Sequence, residues 1–241
     1  MDCTILTPVY DEPLALVKRN ITSVMLQKTC YKFEHLVVID NPNISVEILN
    51  YLYNNTDVNY YIHKENKGLS ASRNTALKNA SGEFIMILDC DDVFAPGRIQ
   101  KQLEFMKQNE IFFSYGGFQE IHGQELEPKP TNNIHIPQQE DLLECLKQFK
   151  NAVPCGSVCF KKEIYDKLGG FDEHMKEGAE DMEFLLRAVN AGYKIGLLPE
   201  VLYYLGITDQ NMTAKLIRNG GFQRANEYIR QKYPDLTFIP C

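Results

Sequence analysis

Apolar positions along this chain follow two rhythms. Short unbroken runs at Thr4–Val9, His35–Ile39 and Phe84–Leu88 suit strands buried on both faces. Between them, Leu14, Val17, Ile21 and Val24 recur at helical spacing, as do Val46, Leu49 and Tyr53 in a helix over Ser45–Tyr53. Val58–Ile62 predicts a shorter strand, and Leu69–Ala80 a helix of small residues. A helix over Pro96–Gln108 turns Ile99, Leu103 and Met106 inward, and Ile111–Tyr115 predicts a further strand. Strand and helix thus alternate, the order that builds a mostly parallel sheet with helices on both faces.

From Gly116 the rhythm changes. Phe118–Leu126 predicts a hairpin, the Pro- and Asn-rich Glu127–Pro137 a loop, and Gln138–Phe149 a helix. A strand near Ser157–Phe160 precedes a helix over Lys161–Leu168, closed by Gly169-Gly170. Glu180-Asp181 opens a helix with Met182, Leu185, Leu186 and Val189 on one face, stopped at Gly192. Tyr193–Leu198 and Val201–Leu205 predict two short strands, and Thr213–Lys232 a basic amphipathic helix. No linker composition interrupts the chain. It is expected to form a single domain over 1–241, with halves at 1–115 and 116–241.

The net charge of −7 at a pI near 5.3 argues against bulk nucleic-acid binding, which needs a basic surface. Seven scattered cysteines with no Cys-x-x-Cys pair predict reduced thiols, and with them a cytoplasmic setting. Met1-Asp2-Cys3 leads directly into the first strand, so no leader is expected, and no apolar run has the length of a membrane span.

The chemistry concentrates between Asn66 and Arg98. There the small-residue helix feeds the buried run Phe84–Leu88, which ends in Asp89, Asp91 and Asp92. Three carboxylates so close at the end of a buried strand need a compensating cation or hydrogen bonds. A solvated turn before the helix at Pro96 accounts for them as a cap. The functional reading is a divalent-metal site, because Asp-x-Asp offers two hard oxygen donors and Mg²⁺ or Mn²⁺ takes its other ligands from phosphates. In open α/β sheets, ligands bind beyond the carboxyl ends of strands, where these residues lie.

Five segments in this order resemble family 2 glycosyltransferases: Thr7-Pro8-Val9-Tyr10, Asn66-Lys67-Gly68 with Ala71-Ser72-Arg73-Asn74, Leu88-Asp89-Cys90-Asp91-Asp92, Gly169-Gly170-Phe171-Asp172, and Glu180-Asp181. The resemblance runs from Thr4 to about Tyr204. It implies the GT-A fold, a Rossmann-like sheet flanked by helices with a smaller acceptor-side subregion. It also implies inverting transfer from a nucleotide sugar. On this reading Pro8, Tyr10 and Asp40 line the nucleoside pocket, with Asp40 on the uracil side, so the donor is a UDP-sugar. Arg73 approaches base or diphosphate, Asp89 faces ribose and metal, Asp91 coordinates Mn²⁺ or Mg²⁺, and Asp181 is the catalytic base. The acceptor implied is a glycan or lipid-linked saccharide in bacterial surface-polysaccharide or lipopolysaccharide synthesis, with peripheral association at the inner membrane face.

Two departures stand out. The second strand ends in Asp40-Asn41-Pro42-Asn43 where the family often has paired Asp then Gly-Ser. Tyr203-Tyr204 is followed by Leu205-Gly206 instead of an Arg or His, leaving Lys215 or Arg218 as substitutes. His174 is expected to be a solvated loop residue. Two rival readings are a receiver-like signalling module, which lacks its acidic pair after the first strand, and a non-catalytic nucleotide-sugar-binding relative.

Overall fold

The computed structural model describes residues 1–126, 128–138, 153–176, 178–207 and 218–234. The predicted alternation is present: β1 (Cys3–Val9), α1 (Leu14–Met25), β2 (Phe33–Ile39), α2 (Val46–Tyr53), β3 (Val58–Ile62), α3 (Leu69–Asn79) and β4 (Phe84–Ile87). These four strands lie in the order β3-β2-β1-β4, all parallel. Successive residues alternate between two cores, as strands covered on both faces require. Leu6, Leu36 and Val38 pack with Ala76 and Leu77 of α3, whereas Ile21, Val37, Ile39, Ile48 and Leu52 pack beside α1 and α2.

The second half extends the same sheet. β5 (Val93–Phe94) and α4 (Arg98–Gln108) lead into β6 (Phe113–His122) and β7 (Pro130–His135). A tight turn at Cys155–Ser157 precedes β8 (Cys159–Lys161) and α5 (Lys162–Leu168). Then come α6 (Glu180–Asn190), β9 (Ile195–Ile207) and α7 (Gly221–Lys232). The sheet continues β4-β8-β6-β9-β5, with β7 on β6; β8 runs antiparallel to both its neighbours.

Several boundaries differ from expectation. The strand predicted to end at Tyr115 continues through Gly116-Gly117 to His122, because the bare glycines let Leu198, Leu202 and Ile136 close against it. The predicted loop over 127–137 contains β7, an exposed edge strand that pairs Phe118 with His135. Proline is tolerated there because it opens an edge strand. The two short strands predicted after Tyr193 are one strand, β9, whose register against β6 slips around Gly117. The two-residue β5 gave no sequence signal and exists only by pairing with Tyr203-Tyr204. The helix predicted over Gln138–Phe149 lies outside the described residues, apart from Gln138 itself, as does the start of the one predicted from Thr213.

Candidate active site

The carboxyl ends of β1, β2 and β4 and the starts of α3 and α6 meet on one side of the sheet. Their link is Arg73. From the buried face of α3 its Nη2 donates to Asp89 Oδ1 at 2.8 Å, and its Nη1 donates to Glu180 at the start of α6. The guanidinium lies 5.4 Å over the Phe171 ring and is 2% exposed. Burial works against its charge, and Asp89 and Glu180 more than offset that. Burial pushes the Glu180 carboxyl up to about 7 against the pull of Arg73, and Asp181 adds to the rise. Next to Arg73, Asn74 holds the Gly-Gly loop, exchanging hydrogen bonds of 2.9 and 2.8 Å with the Phe171 backbone.

The acidic loop after β4 is held by its backbone. Asn20 Nδ2 donates to the carbonyls of Asp89 and Asp92 at 2.8 and 3.1 Å. Arg19 donates to the carbonyls of Asp91 and Gly123 at 2.6 and 2.8 Å. Asp92 turns inward, is 2% exposed, and accepts from Gly206 N–H at 2.9 Å; burial and Asp91 hold its carboxyl well above the usual range. Gly206 is required here, since a Cβ would stand 2.1 Å from the Asp91 carbonyl oxygen. The position that replaces the family's late Arg or His therefore buttresses the acidic loop.

Asp91 is half-buried. Burial pushes its carboxyl up to about 7, with Asp89 and Glu12 adding to the rise. Glu12 accepts from Tyr10 N–H at 2.7 Å and is itself pushed up, by burial and by Asp89. Sequence reasoning gave Glu12, Arg19 and Asn20 no part in the site. No periodic signal separates an inward Arg or Asn from a surface one.

Among the described residues no three His, Cys, Asp or Glu side chains close into a metal cluster. Asp89 is paired with Arg73 through Oδ1, its second oxygen is not used in that bond, and Arg19 offsets the charge on Asp91 only in part. Two such carboxylates fit Mg²⁺ or Mn²⁺ that draws its remaining ligands from phosphate and water.

Asp40 is 5% exposed at the end of β2. It accepts from His63 Nδ1 at 2.7 Å, Lys67 N–H at 2.8 Å and Gly68 N–H at 2.7 Å. These donors fill about three of a carboxylate's four acceptor positions, so Asp40 anchors the turn into α3 and keeps one position open on Oδ2. Pro8 lies half-buried on β1, and Tyr10 stands 51% exposed just beyond it.

Asp181 is half-buried in the first turn of α6, its Oδ1 accepting from Met182 N–H at 2.8 Å. The residue before that helix, Ala179, has φ 63°, a left-handed conformation uncommon for a residue with a side chain. The Cys155 thiol is pushed well up, first by burial, with Arg73 acting to lower it. Of the other candidates, His174 has a side chain 86% exposed and bonded to Asp172 at 3.0 Å. Arg218 is exposed ahead of α7, and Lys215 lies outside the described residues.

With this geometry in hand, the sequence matches the Glycosyl transferase family 2 over residues 4–169. The chain belongs to that family. A relative from Methanocaldococcus jannaschii, described as an uncharacterized glycosyltransferase, is 30% identical over 83% of this chain and 68% of its own length. Another is the Escherichia coli UDP-Glc:alpha-D-GlcNAc-diphosphoundecaprenol beta-1,3-glucosyltransferase WfgD, 30% identical over 59% of this chain and 55% of that protein. Several longer relatives are spanned over only 19% of their length.

Among solved structures, Staphylococcus aureus TarS 1-349 in complex with UDP-GlcNAc superposes with a TM-score of 0.66 at 18% identity, over 89% of this chain and 61% of that one. The Pyrobaculum calidifontis mannosyltransferase PcManGT, in complex with GDP-Man and Mn2+, gives 0.63 at 20% identity, over 93% and 64%. These likenesses show the GT-A fold. A receiver-like module is thereby set aside. The described cysteines are free thiols, and no described helix is long and apolar enough to cross a membrane.

Proposed function

We propose that this glycosyltransferase moves a sugar, with inversion, from a UDP-sugar to a hydroxyl of a glycan or lipid-linked saccharide at the inner face of a bacterial membrane. The observation that carries the reading is the Arg73 clasp. One buried guanidinium ties the Asp89 loop to the start of α6, so the groups suited to donor and acceptor share one rigid site.

Asp181 takes the proton of the acceptor hydroxyl. The oxygen attacks the anomeric carbon from the face opposite the leaving group. The bond between that carbon and the diphosphate oxygen breaks, and its electron pair stays with the diphosphate. Asp91 and Asp89 are the residues that would hold Mn²⁺ or Mg²⁺, which when bound neutralises charge on the diphosphate. Pro8, Tyr10 and the open position on Asp40 face the nucleoside. Arg73 fixes Asp89 without taking a proton, because its guanidinium stays charged.

Asp181→Asn keeps the shape and removes the base. Turnover is expected to fall about 10²- to 10⁴-fold with donor affinity nearly unchanged, as general-base catalysis predicts. Steady-state transfer and donor titration on the same protein check this. Turnover within about threefold of wild type would remove Asp181 from the base role. A variant that also loses donor binding would move it to a structural one.

A further inference from the structure

A second cavity lies beside the site, outside the roles assigned above. It holds about 440 Å³ and is lined by Phe118, Ile134, His135, Ile136, Gln138 and Pro154, among others. We propose that it binds a saccharide ring of the acceptor, with the outer face of His135, backed by Phe118, as the platform. This rests on the transferase reading above and names the acceptor side of it.

The platform is built by the fold. Phe118 of β6 and His135 of β7 are register partners, and their rings stack at 4.5 Å with 16° between planes. Gly117 makes the cavity wall possible. A Cβ there would stand 2.2 Å from Ile136 Cδ1 and 2.6 Å from the His135 carbonyl oxygen, so only glycine lets the end of β7 close over β6. His135 is held from its far side by Glu120 at 3.3 Å, and Glu120 in turn accepts from Asn133 at 2.8 Å. The imidazole is therefore fixed while its side chain stays 49% exposed.

Position gives the cavity its meaning. Phe118 also meets Tyr203, ring centres 5.7 Å apart, and Tyr203 covers Gly156 next to Asp92. Pro154 lines the cavity, and Gly156, two residues on, lies against Asp92 and Tyr203. One short segment, 154–156, thus has the cavity at one end and the transfer site at the other.

The chemistry favours a sugar over a prenyl chain. A pyranose has an apolar C–H face and a rim of hydroxyls. The outer face of His135 matches the apolar face, and the Gln138 amide matches the rim. A purely apolar chain offers that amide no partner.

The test is saturation-transfer NMR with methyl glycosides of glucose, galactose and N-acetylglucosamine in the presence of UDP, beside calorimetric titration of UDP alone. Phe118→Ala is expected to weaken glycoside binding about tenfold while UDP affinity stays within about twofold. Phe118→Leu, which keeps bulk without an aromatic face, guards against loss of fold and should fall in between. Unchanged glycoside signals in a folded Phe118→Ala protein overturn the proposal. So does a wild type that binds farnesyl phosphate and none of the glycosides. Failure of UDP to bind any variant instead counts against the donor reading and leaves the glycoside comparison intact.

Discussion

At the scale of single residues, Asp91 shows how burial and like charge set up a site. Its carboxyl is raised from an ordinary 3.8 to about 7, first by burial and then by Asp89 and Glu12. The native state therefore holds this proton more tightly than the unfolded chain does. The stability it contributes is fully present below the unfolded value, and it is lost as pH rises through about 7. Asp91→Asn mimics the protonated form. It should stabilise the metal-free protein at pH about 8 by on the order of 1 kcal/mol and be nearly neutral at pH about 4. Thermal melts across that range check the sign. Mn²⁺ with UDP should raise the wild-type midpoint more at the higher pH and leave Asp91→Asn unmoved, because metal and proton compete for one carboxylate. A metal response retained by the variant would assign the ion elsewhere.

At the scale of elements, the central junction is between α3 and α6. Small residues at Ser70, Ala71, Ser72 and Ala76 let α3 bury one face, and that burial carries Arg73 inward. A second junction fixes α6: Glu183, fully buried, receives Arg187, and Lys232 of α7 reaches it at 2.9 Å. Lys232 also bonds Asp172 at 2.8 Å, and its donated bonds help hold the Asp172 carboxyl well below the usual range despite burial. The helix start bearing Glu180 and Asp181 is thereby clamped from both sides. Arg73→Ala leaves Asp89 and the buried Glu180 without their cation and should cost about 3–5 kcal/mol in urea denaturation. A loss below about 1 kcal/mol would show that the clasp is dispensable for the fold.

At the scale of the whole molecule, the parallel half gathers its strand ends on one side of the sheet, and the second half brings the start of α6 against them. The fold is shared by proteins solved with UDP-GlcNAc and with GDP-Man, so the fold alone does not select the base. On the proposed reading, selection falls to the exposed Tyr10 and the remaining acceptor position of Asp40. One hydrogen bond is worth about 1 kcal/mol or more, so UDP should bind about five- to tenfold more tightly than GDP or CDP. Competitive titration decides it, and a preference for GDP would move Asp40 to a purely structural role.

The sequence by itself determined the parallel half, because strands buried on both faces and helices buried on one leave periodic traces that burial alone dictates. It also singled out Arg73, Asp89, Asp91 and Asp181 as candidates, since their segments stand in a recognisable order. Only the tertiary structure decided what each of them touches. Arg73 meets Glu180 across 107 residues, Gly206 meets Asp92 across 114, and Arg19 meets Asp91 across 72. Contacts at such separation leave no local pattern. The same holds for β5, β7 and the joining of β6 and of β9 into unbroken strands, which depend on a distant partner strand to satisfy their backbone groups.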